Sequence, residues 1–199
     1  MKEFWNERYG QHEFIYGQKP NSFFEEQIAL LQPGKILLPA EGEGRNAVYA
    51  ASQGWEATAF DFSEAGKKKA EKLASETGVT IDYQISAAAD FEAEADTFDV
   101  VAFIYAHFPS QLRQAVHQKV VKWLKPGGKV ILEAFHARQL HRNSGGPKKP
   151  EMLYDLPMLR NDFSPLQEVL LEEKIITLSE GAYHKGVAEV VRFVGEKKG

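Results

Sequence analysis

Short apolar runs alternate with helix-period stretches through the middle of the chain. Residues 35–38 carry apolar side chains on consecutive positions, the pattern of a strand buried on both faces. A glycine turn, Glu41-Gly42-Glu43-Gly44, then leads into a helix-like stretch at 45–53. The unit recurs as a strand at 56–60 ending in Asp61 and a helix at 63–77, with Ser63 at its N-cap and Gly78 at its C-cap. Strands are predicted at 79–84 and 98–104, a helix at 111–124, and, past Pro126-Gly127-Gly128, a strand at 129–135. Strands alternating with helices over about 100 residues predict a parallel sheet joined by right-handed crossovers.

The two ends break this rhythm. A helix is predicted at 2–9, then an irregular stretch to Pro20, then a helix at 23–31. That second helix is capped by Asn21 or Ser22, with Glu25 placed as in a capping box. Seven aromatic residues crowd the first two dozen positions, so this end is expected to dock on the domain. Residues 136–150 have no periodicity and read as a long functional loop, with the loop region running on to 165. Strands at 168–178 and 187–195 have no helix between them and are expected to be an antiparallel pair. The expected architecture is one α/β domain over 1–199: a Rossmann-like sheet of seven strands, mostly parallel with the last strand antiparallel, and helices on both faces. Residues 1–32 form an N-terminal helical lid segment.

Composition narrows the chemistry. With 199 residues, one core is the expectation. The formal net charge of −4 lacks the footprint that phosphate-backbone binding requires, so nucleic acid is not expected as a partner. The absence of cysteine removes thiolate metal sites and cysteine nucleophiles. The longest apolar run, 100–106, is far short of the ~20 residues of a membrane span, and the first residues have no signal-peptide core. A cytoplasmic protein without membrane contact is expected.

The strongest local signal is Gly42-x-Gly44 between a strand and a helix, with Asp61 closing the next strand about 20 residues later. Glycines there let a ligand approach the backbone, and the carboxylate can accept from two ribose hydroxyls, so a nucleoside is expected. The competing reading is a turn whose glycines serve packing. Glu41 and Glu43 flank the glycines, with Arg45 alone to offset them, which disfavours a pyrophosphate and suits a cationic ligand such as S-adenosylmethionine (SAM). Against this, Gly42-x-Gly44-x-x-Ala47 matches the dinucleotide fingerprint. A nicotinamide-dependent oxidoreductase and a SAM-binding module without turnover therefore stay open.

The segments Lys35-Ile-Leu-Leu-Pro-Ala-Glu-Gly-Glu-Gly-Arg-Asn46, Phe60-Asp-Phe-Ser63, Ala89-Asp-Phe91, Phe98-Asp-Val-Val101 and Leu124-Lys-Pro-Gly-Gly-Lys-Val-Ile-Leu132 fall in the order seen in class I SAM-dependent methyltransferases. With Trp5-Asn-Glu-Arg-Tyr9, Tyr16-Gly17, Pro20-Asn21 and Glu133-Ala-Phe135, the chain resembles the small tellurite-resistance and thiopurine-methyltransferase-like branch along nearly its whole length. The resemblance implies methyl transfer from SAM to a small molecule, with a soft sulfur, selenium or tellurium centre as the expected acceptor, releasing S-adenosylhomocysteine. It implies that the segment Ala40 to Gly44, with Glu41 and Gly42, holds the methionine portion, Asp61 the ribose and Asp90-Phe91 the adenine edge, while Tyr105 faces the amino-acid portion; Arg45, Asn46, Phe62 and Ala89 are expected among the cofactor-binding residues. Leu38 and Ala40 stand where the family often has an acidic residue and a further glycine.

Methyl transfer chiefly needs the acceptor held and water excluded. His107, directly after the fourth strand, is the first choice for proton acceptance. His136 and His184 are expected to line the acceptor pocket, and Trp5, Tyr9 and Tyr16 to form a lid. No histidine has the spacing of a metal motif. Lys67-Lys68-Lys69 reads as a solvated face. Arg138, His141, Arg142, Lys148 and Lys149 could close over an anionic acceptor.

Overall fold

A computed structural model describes residues 2–11 and 14–199; Met1, His12 and Glu13, which fall within the expected lid segment, lie outside the described residues. The elements in chain order are α1 (Lys2–Tyr9), α2 (Ser22–Ile28), β1 (Lys35–Pro39), α3 (Arg45–Ser52), β2 (Glu56–Asp61), α4 (Glu64–Thr77), β3 (Asp82–Ile85), β4 (Phe98–Ile104), α5 (Ser110–Trp123), β5 (Leu124–Phe135), α6 (Leu156–Asp162), β6 (Leu166–Glu180) and β7 (His184–Lys197). The strands form one sheet in the order β3-β2-β1-β4-β5-β7-β6. All pairs from β3 to β5 are parallel. β7 runs antiparallel to both β5 and β6.

The unbroken apolar strands are explained by two cores. Val101 and Phe103 of β4 face one layer, with Val116, Val120 and Trp123 of α5 and Leu159 and Phe163 near α6. Val100, Ala102 and Ile104 face the other, with Phe23, Phe24 and Ile28 of α2, Ala47 and Ala50 of α3, and Ala70 of α4. Period-2 alternation thus splits each central strand between the two layers.

Several boundaries differ from expectation for local reasons. Asn21 alone caps α2, accepting from Phe24 N at 3.0 Å. Glu25 forms no capping box and instead takes the Tyr49 hydroxyl at 3.2 Å. Val79 N closes the α4 C-terminus on Ala74 O, which delays β3 to Asp82. The region 136–165 is not one loop: it holds 3-10 turns at Ala137–His141 and Pro150–Met152 and the helix α6, capped by Asp155 on Met158 N at 2.8 Å. Among the described residues, no helix is long and apolar enough to cross a membrane.

Candidate active site

β1 and β4 are sheet neighbours, yet the chain runs outward from them in opposite directions, so the crevice beyond their carboxyl ends is the topological switch point where ligands bind in open α/β sheets. Ala40, which follows β1, and Tyr105, which follows β4, both adopt left-handed backbone, with φ of 53° and 52°. That conformation costs an L residue roughly 1–2 kcal/mol, and such strain concentrates at ligand sites. Asp61 closes β2 at the same edge.

The glycine loop is organised by its carboxylates. Glu41 caps α3, accepting from Asn46 N at 2.7 Å and Ala47 N at 2.9 Å. Burial pushes its pKa up to about 7, against the lowering effect of these donors. Glu43 faces the opposite way, accepting from Ile15 N at 2.8 Å and Tyr16 N at 3.3 Å while pairing with Lys69 at 2.7 Å. Arg45 donates to Tyr16 O at 3.0 Å and to Glu180 Oε2 at 2.9 Å, and Asn46 Oδ1 accepts from Asn21 N at 2.9 Å. The polar groups of Glu43, Arg45 and Asn46 thus hold the N-terminal segment onto the loop. Lys69, expected on a solvated face, is turned inward. Gly44 (φ 83°) serves packing, because an added Cβ would stand 2.3 Å from Ala70 Cβ of α4.

Asp61 accepts from Gly42 N at 3.3 Å and Ser63 N at 2.8 Å, which fixes its carboxylate at the crevice edge. Burial pushes its pKa up to about 6 despite these bonds. Tyr83 donates to Gly42 O at 2.6 Å, and Tyr9 lies against Gly42 from α1. Trp5 stacks on Tyr9 with centroids 5.2 Å apart, and Tyr16 lies 6.4 Å from each. The three expected lid aromatics are together beside the glycine loop. Asn6 of α1 accepts from the Ser63 hydroxyl at 2.7 Å, tying the lid to the start of α4. Phe62 is half-buried, whereas Ala89 and Asp90 are exposed at the next edge. Phe91 is core, stacked on Phe60 at 4.3 Å, so its ring does not face a ligand.

The histidines separate. His107 has both ring nitrogens engaged by main chain: Nδ1 lies 2.7 Å from Met152 O, and Nε2 accepts from Phe135 N at 3.3 Å. Burial lowers its pKa to about 4. The lone pair that a proton acceptor needs is already used, so this geometry holds His107 as a neutral ring stacked on Phe135. His136 accepts from Arg138 N at 3.1 Å and faces Glu173 at 3.3 Å. Within the basic loop Arg138 and Arg142 both pair with Glu189, and Lys148 donates to Arg142 O. His184 enters the crevice wall, with its ring 4.5 Å from that of Tyr16 and 4.6 Å from that of Tyr105.

Sequence reasoning missed Glu133 and Arg192. Glu133 near the end of β5 is fully buried and accepts from Arg192 Nε at 2.6 Å, Asn21 Nδ2 at 2.7 Å and the Tyr105 hydroxyl at 2.8 Å. A charged residue at the end of an otherwise apolar strand was the available signal.

Comparison with known proteins matches residues 36–128 to a methyltransferase domain model, a stretch that runs from β1 through β4 and α5. No curated protein matches. Among solved structures, one described for the conversion of a disulfide bond into a thioacetal group during echinomycin biosynthesis superposes with a TM-score of 0.82 at 16% identity, over 100% of this chain and 92% of that one. TehB from Haemophilus influenzae gives 0.74 at 13% identity, over 99% and 67%. A SAM-dependent methyltransferase from Methanosarcina mazei gives 0.69 at 17% identity, over 87% and 97%. At these identities the likeness concerns the fold, the seven-stranded Rossmann-like sheet described above. The matched stretch reads as a methyltransferase domain, and the fold around it is the one that the SAM-dependent methyltransferase neighbour shares.

Proposed function

We propose that the protein methylates a small-molecule acceptor at a soft sulfur, selenium or tellurium centre, as the tellurite-resistance-like branch does. The observation that carries the nucleoside side of this reading is Glu41. The α3 N-terminus is where a dinucleotide would seat its phosphates, and there the Asn46 and Ala47 amides already donate to a carboxylate of this chain. Arg45, the nearby cation, is spent on Glu180. Carboxylates and aromatic faces remain, a donor set that fits a positively charged ligand.

Asp61 would hold the ribose hydroxyls, the main chain at 40–42 and Tyr105 the methionine portion, and Ala89-Asp90 the adenine edge. SAM supplies a methyl group activated by its sulfonium. The chain supplies position and dryness: the segment pinned by Glu43 and Arg45 places Tyr16 over the crevice, and the β6–β7 turn packs on it, with Ala182 N donating to Ile15 O at 3.0 Å. Excluding water and fixing the acceptor are what an in-line methyl displacement asks of an enzyme. Support for a sulfur-type acceptor comes from the echinomycin-pathway neighbour, whose described reaction is at sulfur and which this chain covers at 92%.

The test is turnover. Incubation with SAM and either 2-mercaptoethanol or selenite is expected to release S-adenosylhomocysteine and the methylated product, read by mass spectrometry. SAM binding with no release from either probe would contradict the acceptor class and favour a module that binds without turnover.

A further inference from the structure

Resting on the methyl-transfer reading above, we infer that Glu180 and His184 form the proton-accepting pair of the site, with Nε2 of His184 taking the proton of a protic acceptor. Glu180 ends β6 and His184 begins β7, so the hairpin turn sets them face to face with Nδ1 of His184 3.3 Å from Glu180 Oε2. The carboxylate is itself fixed, receiving Arg45 Nη2 at 2.9 Å and Asn21 Nδ2 at 3.3 Å. Burial works against its charge, yet the bonds from His184 and Arg45 hold its pKa below the usual carboxylate range. A fixed carboxylate on Nδ1 selects the tautomer that carries its proton there and leaves the Nε2 lone pair free.

The ring's position is equally determined. Tyr16, Tyr105 and Phe135 enclose it at centroid distances of 4.5, 4.6 and 5.3 Å. A Cβ on Gly145 would come within 2.8 Å of its Cδ2, so that glycine gives it room. Tyr105 is the left-handed residue closing β4, which puts the imidazole over the switch-point crevice. Among the described residues the sealed side-chain nitrogen without a partner is Nε2 of His117, so the Nε2 of His184, which makes no hydrogen bond there, is not sealed. Burial lowers the His184 pKa, keeping it neutral and able to accept at neutral pH. His107 differs on this point, because its Nε2 is occupied by Phe135 N.

The step balances as follows. The acceptor atom forms its bond to the methyl carbon as its own proton moves to Nε2. The carbon–sulfur bond of the donor breaks, its electron pair staying on the departing sulfur. The imidazolium, stabilised by Glu180, later releases its proton to water. The charged and titratable groups facing His184 are Glu180 from β6, Arg45 from α3, Glu133 from β5, the phenols of Tyr16 and Tyr105, and His107.

SAM and S-adenosylhomocysteine differ by one methyl group and one positive charge, so the ratio of their affinities reads the charge beside the sulfur without any acceptor. Calorimetric titration of the full chain from about pH 8 to 4, reaching below the ordinary histidine range because burial lowers this group, should show the SAM preference falling by about tenfold or more as His184 protonates. His184→Gln should remove that part of the fall. Glu180→Gln should move its midpoint to lower pH, because the carboxylate favours the imidazolium. With 2-mercaptoethanol as acceptor, His184→Gln should lose about 10²-fold in kcat/KM near neutral pH, and the loss should shrink at high pH, where the thiol ionises unaided. A merely structural histidine would give an equal loss at every pH, which would overturn the pair. Identical pH dependence of the affinity ratio in wild type and His184→Gln would overturn it too and leave the cofactor reading intact. Failure of both ligands to bind would remove the cofactor reading and the pair with it.

Discussion

A carboxylate at the start of a helix occupies the place a phosphate would take, and Glu41 does so at α3 with two backbone donors. Its folded-state pKa, pushed up to about 7 from an ordinary 4.5, has a definite sign. The protonated form is the one that folding favours, so the group's contribution is fully present below pH 4.5 and is lost as pH rises through about 7. Glu41→Gln keeps an acceptor for the two amides and removes the titration. Thermal melts at pH 5 and pH 7.5 should therefore show a smaller drop with rising pH in Glu41→Gln than in wild type; equal drops would mean that Glu41 does not titrate in this range. The sequence showed an acidic rim hostile to pyrophosphate. It did not show that Glu43 and Arg45 would spend themselves on Ile15, Tyr16, Lys69 and Glu180, because those partners are far away in the chain and only the fold joins them. The same distance effect separates the histidines: nothing near His107 in sequence reveals that Met152 and Phe135 engage both its nitrogens.

At the scale of elements, the N-terminal segment behaves as a strap fastened at two points of the glycine loop, Glu43 and Arg45, and covered by the β6–β7 turn. Gly181 (φ 72°) is needed there, since a Cβ would meet Ile15 O at 2.3 Å. Glu43→Ala removes the acceptor of the Ile15 and Tyr16 amides and leaves Lys69 without that carboxylate. Amide exchange at Ile15 and Tyr16 is expected to speed up by about tenfold or more, one lost charge-assisted hydrogen bond being worth roughly 1.5–3 kcal/mol, while the amides of β4 stay protected. Unchanged exchange at Ile15 would show that the strap is held by its aromatics alone. The strands and helices of the βαβ units were legible because each has one period and one pair of punctuating residues, such as Ser63 and Gly78 around α4. α6 was not legible: seven residues, opening with Pro157 in its first turn, carry too short a pattern to distinguish from a loop.

Across the whole molecule, the sheet brings to one edge residues from every third of the chain: Tyr16 from the strap, Ala40 and Asp61 from the first two strands, Tyr105 from the fourth, and Glu180 and His184 from the terminal hairpin. Alternating apolar strands and helices made the parallel sheet and its switch point readable in advance. The antiparallel hairpin was readable as a pair of strands, but its extra length was not. β6 and β7 run on to Glu180 and His184 through half-polar positions that alternate too weakly to identify as strand, and that extension carries the hairpin tip to the crevice. The buried pair Glu133–Arg192 then joins β5 and β7 beneath Asn21 and Tyr105, making the site depend on the closed fold. The central claim is that this edge grips a nucleoside with a positive tail and turns away a diphosphate. Calorimetric titration with SAM and with NADPH, on wild type and on Asp61→Ala, tests it most directly. SAM is expected to bind wild type and to weaken by roughly 10- to 100-fold in the variant as hydrogen bonds to a charged group are lost, with no heat from NADPH. Saturable NADPH binding in the absence of any SAM binding would contradict it.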